Sequence, residues 1–298
     1  MITERKNHFF HGALYITLSA LCFAAVGSMA KYSSNFACTE TIVFFRNATA
    51  LLMVVPVLLY KRVPLKTKSF KLHLLRSLFG LTAMYCYFYS IHKLQLAEAV
   101  LFSYSSPLYL PIISLIWLKE RIHFASAAAI IIGFFGVFII LNPTVSGFNA
   151  VSLIAISAGF MAAMAMVTVR NMSISEPVLR TVFYFAFFST LVSLFPFLLS
   201  GSSVANLKQL SALMSTGFFA LCGQMFMTRG YSEAPSALVA PFQYFTVIFA
   251  TAIGWILWKE SLGSLKIAGI AIVCFAGIVS SLAKKPKVKG QKPETPQN

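Results

Sequence analysis

Ten apolar runs of about 20 residues follow one another along this chain, at 10–31, 41–60, 72–92, 97–118, 122–141, 149–169, 178–199, 209–228, 235–258 and 262–282. A bilayer hydrocarbon core of roughly 30 Å needs about 20 helical residues to cross it. In lipid every backbone polar group must be satisfied internally, so such runs predict α-helices. The breaks between them carry Gly, Pro, Ser, Asn or charge, as at Asn142–Pro143 and Ser200–Gly201–Ser202–Ser203. No break is long enough to hold a soluble domain. The expected fold is therefore an all-α membrane protein of ten transmembrane helices.

Composition agrees. The chain is 58% apolar and 11% charged, against roughly a quarter charged in an ordinary soluble domain. A soluble chain this apolar would expose aggregating patches. A net charge of +16 would suggest nucleic acid in a soluble protein. Here the basic residues stand between the runs and in the tail, the pattern that orients membrane proteins, so no nucleic-acid partner is expected. Arg5 and Lys6 followed by an apolar run ending at Gly27–Ser28–Met29–Ala30 imitate a secretory signal, and with nine further runs we read a retained first helix.

With the N-terminus placed in the cytoplasm, 18 Lys and Arg fall in inner segments and 5 in outer ones, with Arg46 inside a run. Arg76 counts among the inner charges. Both termini are expected on the cytoplasmic side. The Lys-rich segment 284–298 reads as a disordered basic cytoplasmic tail.

The chain also repeats itself. Trp117–Leu118–Lys119–Glu120 returns as Leu257–Trp258–Lys259–Glu260. In the same register, 140 positions apart, Phe102 meets Phe242, Tyr104 meets Tyr244, and Lys119–Glu120 meets Lys259–Glu260. Earlier, Ser19 and Ala20 meet Ser157 and Ala158 at an offset of 138. Five helices per half is an odd number, so the halves enter the membrane from opposite sides. We expect repeats at 1–141 and 149–283, related by a pseudo-two-fold axis in the membrane plane, with a site near the midplane.

Polar residues inside the runs are the candidate site. Arg46 could anchor an anionic group or snorkel to the outer interface. Gln224 and Gln243 can donate and accept toward a polar substrate, or glue helices together. Tyr104 and Tyr244 occupy equivalent places, and Tyr85 lies on the third run; aromatic faces can hold cations or flat rings. Ser103, Ser105, Ser106 and Pro107 interrupt the fourth run, and Pro235 and Pro241 the ninth, as happens at carrier sites. The candidate substrate-binding set is Arg46, Tyr85, Ser103, Tyr104, Gln224, Gln243 and Tyr244. Glu98, Glu120 and Glu260 read as interfacial or orienting charges.

Eight Glu, no Asp and five scattered Cys give no metal or disulfide framework. No phosphate-binding loop or nucleophile elbow is present. No cofactor is expected, and the chain does not read as an enzyme.

The duplication, Phe44–Phe45–Arg46, the Pro-containing run ending in Leu118–Lys119–Glu120, and Gly133 and Gly136 echoed by Gly269 and Gly277 resemble the EamA-type branch of the drug/metabolite transporter superfamily. Leu74–Leu75–Arg76, Ser103–Tyr104–Ser105–Ser106–Pro107–Leu108 and Ala240–Pro241–Phe242–Gln243–Tyr244 look most like its S-adenosylmethionine uptake carriers of intracellular bacteria. The resemblance implies a ten-helix carrier with a central cavity open to each side in turn, walled by helices one, three, four, six, eight and nine. The expected function is secondary-active transport of a small polar or amphipathic metabolite, S-adenosylmethionine-like or amino-acid-like, across a bacterial inner membrane. A drug or amino-acid exporter of the same fold and a lipid-headgroup flippase are the alternatives. Expected partners are a small-molecule substrate and the lipid bilayer, with a coupling proton or counter-substrate and a homodimer left open.

Overall fold

The computed structural model describes residues 2–117, 150–172, 175–201, 206–233, 239–260 and 263–282, with positions 128, 131–133, 135, 136, 139 and 204. The fifth apolar run therefore lies largely outside the described residues, as do Lys119, Glu120, Pro235 and the tail.

Among the described residues the chain is helical without strands. Helix α1 spans Ile2–Ser33, α2 Thr39–Tyr60 and α3 Phe70–Lys93. The fourth run divides into α4 (Leu96–Ser103) and α5 (Ser106–Trp117). In the second half, α6 spans Ala150–Met172, α7 Val178–Leu199 and α8 Leu207–Glu233. A 3-10 turn at Ala240–Tyr244 leads into α9 (Phe245–Trp258), and α10 spans Ser264–Leu282. Six stretches are long and apolar enough to cross a membrane: Phe10–Ser33, Thr39–Tyr60, Glu98–Trp117, Ala150–Met172, Val178–Leu199 and Leu207–Glu233. Helix α3 has 24 residues, long enough by rise alone, but Lys71, His73, Arg76, His92 and Lys93 make it too polar to join that set.

The interior is built from all the helices at once. Ile16, Ile42, Phe88, Phe102 and Leu213, from α1, α2, α3, α4 and α8, share one core cluster. Leu191, Phe195, Leu198, Trp255, Ile256 and Leu257 face outward, as apolar side chains do when lipid is the solvent. Helix α1 packs chiefly on α8, and α3 on α6. Helix α2 packs on α7 and α8, α7 also on α3, and α4 on α9. Exchanging α1 with α6, α2 with α7, α3 with α8 and the fourth run with the ninth maps this set of main pairings onto itself.

Two glycines set the closest approaches. A Cβ on Gly217 would stand 2.8 Å from the Arg46 carbonyl oxygen, so α8 presses on α2 at that level. A Cβ on Gly159 would stand 2.6 Å from the Phe102 carbonyl oxygen, which brings α6 against the break between α4 and α5. At that break Tyr104 leaves the helix, and Pro107 falls in the first turn of α5, where its missing N–H costs least. The Ser105 hydroxyl and backbone N–H both donate to the Phe102 carbonyl, at 2.6 and 3.3 Å, which closes the turn at the interruption. The ninth run is interrupted at the same register, with Pro241 at the start of its 3-10 turn and Tyr244 at the end.

Candidate functional site

Where α1, α2, α3, α6, α7 and α8 converge on the Tyr104 break, they line a partly open cavity of about 120 Å³. That is room for on the order of ten water-sized groups. Its walls are mostly apolar: Phe23 and Val26 from α1, Met84 and Phe88 from α3, and Met166 and Met227 from α6 and α8. Ala158, Ala162 and Ala165 recur at helical spacing on α6 and give that wall a smooth surface. The wall also takes Arg46, one of the candidate site residues, from α2 and Phe185 from α7, two helices outside the set that the family resemblance implied. The described part of the ninth run contributes no lining residue.

One corner of the cavity is strongly polar. Arg46 is 5% exposed and Arg76 is 4% exposed. Both guanidinium groups lie against the Phe185 ring, Arg76 at 3.6 Å and Arg46 at 5.5 Å from its centroid. The Arg46 Nη1 donates to Asn47 Oδ1 at 2.7 Å, and Asn47 in turn donates to Met84 Sδ at 3.5 Å. The Arg76 Nη2 donates across the bundle to Gln224 Oε1 at 2.9 Å. Gly80, one turn on from Arg76, makes the room: a Cβ there would stand 2.3 Å from Arg76 Nη1 and 2.9 Å from the Phe185 ring.

No carboxylate answers these two charges among the described residues. Glu176 pairs with Arg180 at 2.8 Å, Glu233 with Arg229 at 2.6 Å, and Glu260 with Lys31. Several polar atoms in the cavity wall have no partner among the described residues: Arg76 Nε and Nη1, the Tyr87 hydroxyl and the Ser103 hydroxyl.

The residues singled out from sequence divide into three groups. Arg46, Ser103, Tyr104 and Gln224 line the cavity together. Arg46 reaches into the interior rather than out to the interface. Tyr104 packs its ring against Phe23 and Tyr87, at centroid distances of 6.1 and 5.9 Å. Gln243 sits one layer behind: it is buried, and its Oε1 accepts a long hydrogen bond of 3.4 Å from the lining residue Ser106, while its Nε2 has no partner. Tyr244 and Tyr85 lie outside the wall, Tyr244 buried in the main core and Tyr85 half-buried against it. The cavity-lining charge that sequence reasoning missed is Arg76, counted as one of the inner-face charges. Its phase was the available signal. Arg76, Gly80, Ala83 and Tyr87 recur at steps of four and three, which puts the arginine on the same face of α3 as the rest of the wall.

Comparison with known proteins agrees with this architecture. A solved crystal structure superposes with a TM-score of 0.68 at 17% identity, covering 91% of this chain and 96% of its own; this is a likeness of fold. A pseudopaline exporter of Pseudomonas aeruginosa is 30% identical over 92% of this chain and 97% of its own length. A riboflavin transporter of Vibrio cholerae is 27% identical over 85% and 87%. An S-adenosylmethionine uptake transporter of Rickettsia prowazekii is 24% identical over 97% and 99%. The EamA-like transporter family matches twice, over residues 10–142 and 149–282. With most of its length accounted for by those two matches, the chain belongs to the EamA-like transporter family.

Proposed function

We propose that this protein is a secondary transporter that moves a small polar or amphipathic metabolite across a bacterial inner membrane by alternating access. The observation that carries the reading is the central cavity. It is walled by helices of both halves, apolar over most of its surface, and holds buried polar groups at one corner. A ligand site has that composition, whereas a bundle held together for its own sake would not keep Arg46 and Arg76 inside it. A charged side chain in a bilayer costs roughly 2.5–3.5 kcal/mol or more, so two need a reason.

The proposed architecture is ten helices in two inverted halves, 1–141 and 149–283, with both termini and the tail 284–298 in the cytoplasm. The exchange symmetry of the helix pairings, and the interruption of the fourth and ninth runs at Tyr104 and Tyr244, support it. In such carriers the site lies where the halves meet and broken helices approach it. The proposed substrate-contacting residues are Arg46, Arg76, Tyr87, Ser103, Tyr104 and Gln224, with Gln243 positioning Ser106 from behind.

Relatives named for export and for uptake share the fold, so direction belongs to energetics and partners. The exporter, at 30% identity over 276 residues, gives export equal standing with uptake. The test is reconstitution of the purified chain in liposomes, with counterflow of labelled S-adenosylmethionine, riboflavin and amino acids. Saturable entry of one of them, absent from empty liposomes, is expected. Protein-independent leakage of every compound would overturn the reading.

A further inference from the structure

We infer that the transported metabolite is an organic anion, whose negatively charged oxygens seat between Arg46 and Arg76 while an apolar body lies along the Phe23, Met84 and Met227 walls. The inference rests on the transporter reading and adds the substrate's charge class to it.

The argument starts from what the polar corner still offers. The two amide oxygens there are each engaged by an arginine: Asn47 Oδ1 takes a hydrogen bond from Arg46 and Gln224 Oε1 takes one from Arg76. Without a partner among the described residues are Arg76 Nε, Arg76 Nη1, and the hydroxyls of Tyr87 and Ser103. Arginine has donors only, and a hydroxyl can donate as well as accept. A ligand that completes this set must therefore bring acceptors.

Charge points the same way. Two guanidinium groups on one Phe185 ring repel each other, and no described carboxylate pairs with either. Arginine stays protonated in proteins, so it cannot relieve the repulsion by losing its proton. An oxyanion between the two groups replaces that repulsion with two attractions and takes up forked N–H donors, which suit carboxylate and phosphate geometry. A cationic ligand would add a third positive charge, and the Phe185 face that could receive it is already covered by Arg76.

Gly80 supplies a separate handle. The space its missing Cβ leaves is occupied by Arg76 Nη1. Gly80→Ala thus keeps both charges and displaces the fork.

The experiment measures the thermal midpoint of the purified full chain in detergent at low ionic strength. The anionic probes are glutarate and phthalate. Their neutral isosteres are glutaramide and phthalamide, and the cationic control is pentane-1,5-diamine. A ligand that binds only the folded state raises the midpoint as its concentration exceeds its dissociation constant. The dianions should raise it in a saturable way and the other probes should not. Arg76→Gln and Arg46→Gln should each raise the half-saturating concentration by about tenfold or more, since each removes a charged hydrogen-bond donor. Gly80→Ala should weaken binding in the same direction with both arginines still present, which covers the case that a charge deletion fails to fold. The inference is overturned by diamides that act as well as dianions, by an absence of any dianion response, or by full affinity in Gly80→Ala together with whichever arginine variant folds. If the diamine or the diamides bind, or enter proteoliposomes, while dianions do neither, the anion assignment falls and the transporter reading stands. If no metabolite crosses in the counterflow assay, the transporter reading falls with it.

Discussion

A guanidinium in the bilayer must find its compensation in its neighbours, and Arg76 finds only part of it. The Phe185 face and the Gln224 oxygen are where it makes contact. Gln224 is thus the cheapest place to supply the missing charge. Gln224→Glu would place a carboxylate within hydrogen-bond reach of Arg76 and build the ion pair that the native cavity lacks. The expected outcome is a midpoint higher by a few degrees, because an uncompensated buried charge is relieved. The same change should cost at least about tenfold in dianion affinity and in transport, because the new carboxylate occupies the seat. Thermal denaturation and counterflow on one preparation check both. A variant that is stabler and still transports normally would remove Arg76 from the pathway. Sequence made Arg46 visible because it stands alone in an apolar run, seven residues into α2. It hid Arg76, which follows Lys66, Lys68 and Lys71 and so reads as the last member of a cytoplasmic row. Only the helical phase of α3 separates a charge in that row from one in the cavity, and phase is ambiguous at the end of a run.

At the level of elements, polar clusters at the helix ends hold the two halves together. Lys259 adopts a left-handed conformation, φ 55°, at the end of α9. Such a residue closes a helix by turning the chain back on itself. Glu260 follows and reaches two other helices: it pairs with Lys31 at the end of α1, and accepts from the Leu96 N–H, 3.1 Å from Oε2, at the start of α4. That N–H is one of the orphan donors of a helix N-terminus, here capped from another element. Gly254 leaves room for it, since a Cβ there would stand 2.8 Å from Glu260 Oε2. Glu260→Ala should therefore destabilise by about 1 kcal/mol or more, the cost of a lost cap. Glu260→Gln, which keeps an acceptor for Leu96, should retain most of that. Denaturation midpoints of the two variants decide it, and equal losses would assign the effect to the ion pair alone. A second cluster joins the loop before α3 to the loop before α7. Glu176 accepts from the Thr67 hydroxyl and from Arg180 at 2.8 Å, and lies 3.5 Å from His73. Burial pushes the Glu176 carboxyl up, but the Thr67 and Arg180 hydrogen bonds and the charges of Arg180 and His73 outweigh it and hold the group below the usual carboxylate range. A carboxyl depressed in the folded state adds stability above its unfolded pKa, and loses it as pH falls through the folded value. The wild-type midpoint should fall as pH drops below the ordinary carboxylate range, and Glu176→Gln should flatten part of that fall. Parallel pH profiles of the two proteins would show that Glu176 contributes nothing. Sequence marked Glu260 as an orienting charge but not its partners, and it did not point to Glu176, because the contacts from Glu260 and from Thr67 to Glu176 span 109 to 229 positions; the repeat register did locate the interruptions at Tyr104 and Tyr244.

For the molecule as a whole, orientation is the property on which the rest depends. The main helix pairings survive exchange of the two halves, so packing alone does not tell which end of the bundle faces the cytoplasm. What breaks the equivalence is charge. The loop between α2 and α3 carries Lys61, Arg62, Lys66 and Lys68, while the short connection between α1 and α2 carries no basic residue, with Lys31 in the last turn of α1 and Arg46 inside α2 on either side of it. Basic residues in short loops are held on the cytoplasmic side. On the proposed orientation the Glu176 cluster lies at the cytoplasmic face and the Glu260 cluster at the outer face. Under the proposed alternating access, opening to either side would release the cluster on that side. The assignment is tested in a background where Cys22, Cys38, Cys86, Cys222 and Cys274 are replaced, using a membrane-impermeant maleimide. Lys68→Cys and Asn35→Cys both fall at exposed loop positions, so reactivity reports sidedness rather than burial. In intact cells Asn35→Cys should label and Lys68→Cys should not; in inside-out vesicles the two should exchange. Labelling of Lys68→Cys from outside intact cells would invert the topology, and would put the Glu260 cluster rather than the Glu176 cluster at the cytoplasmic gate.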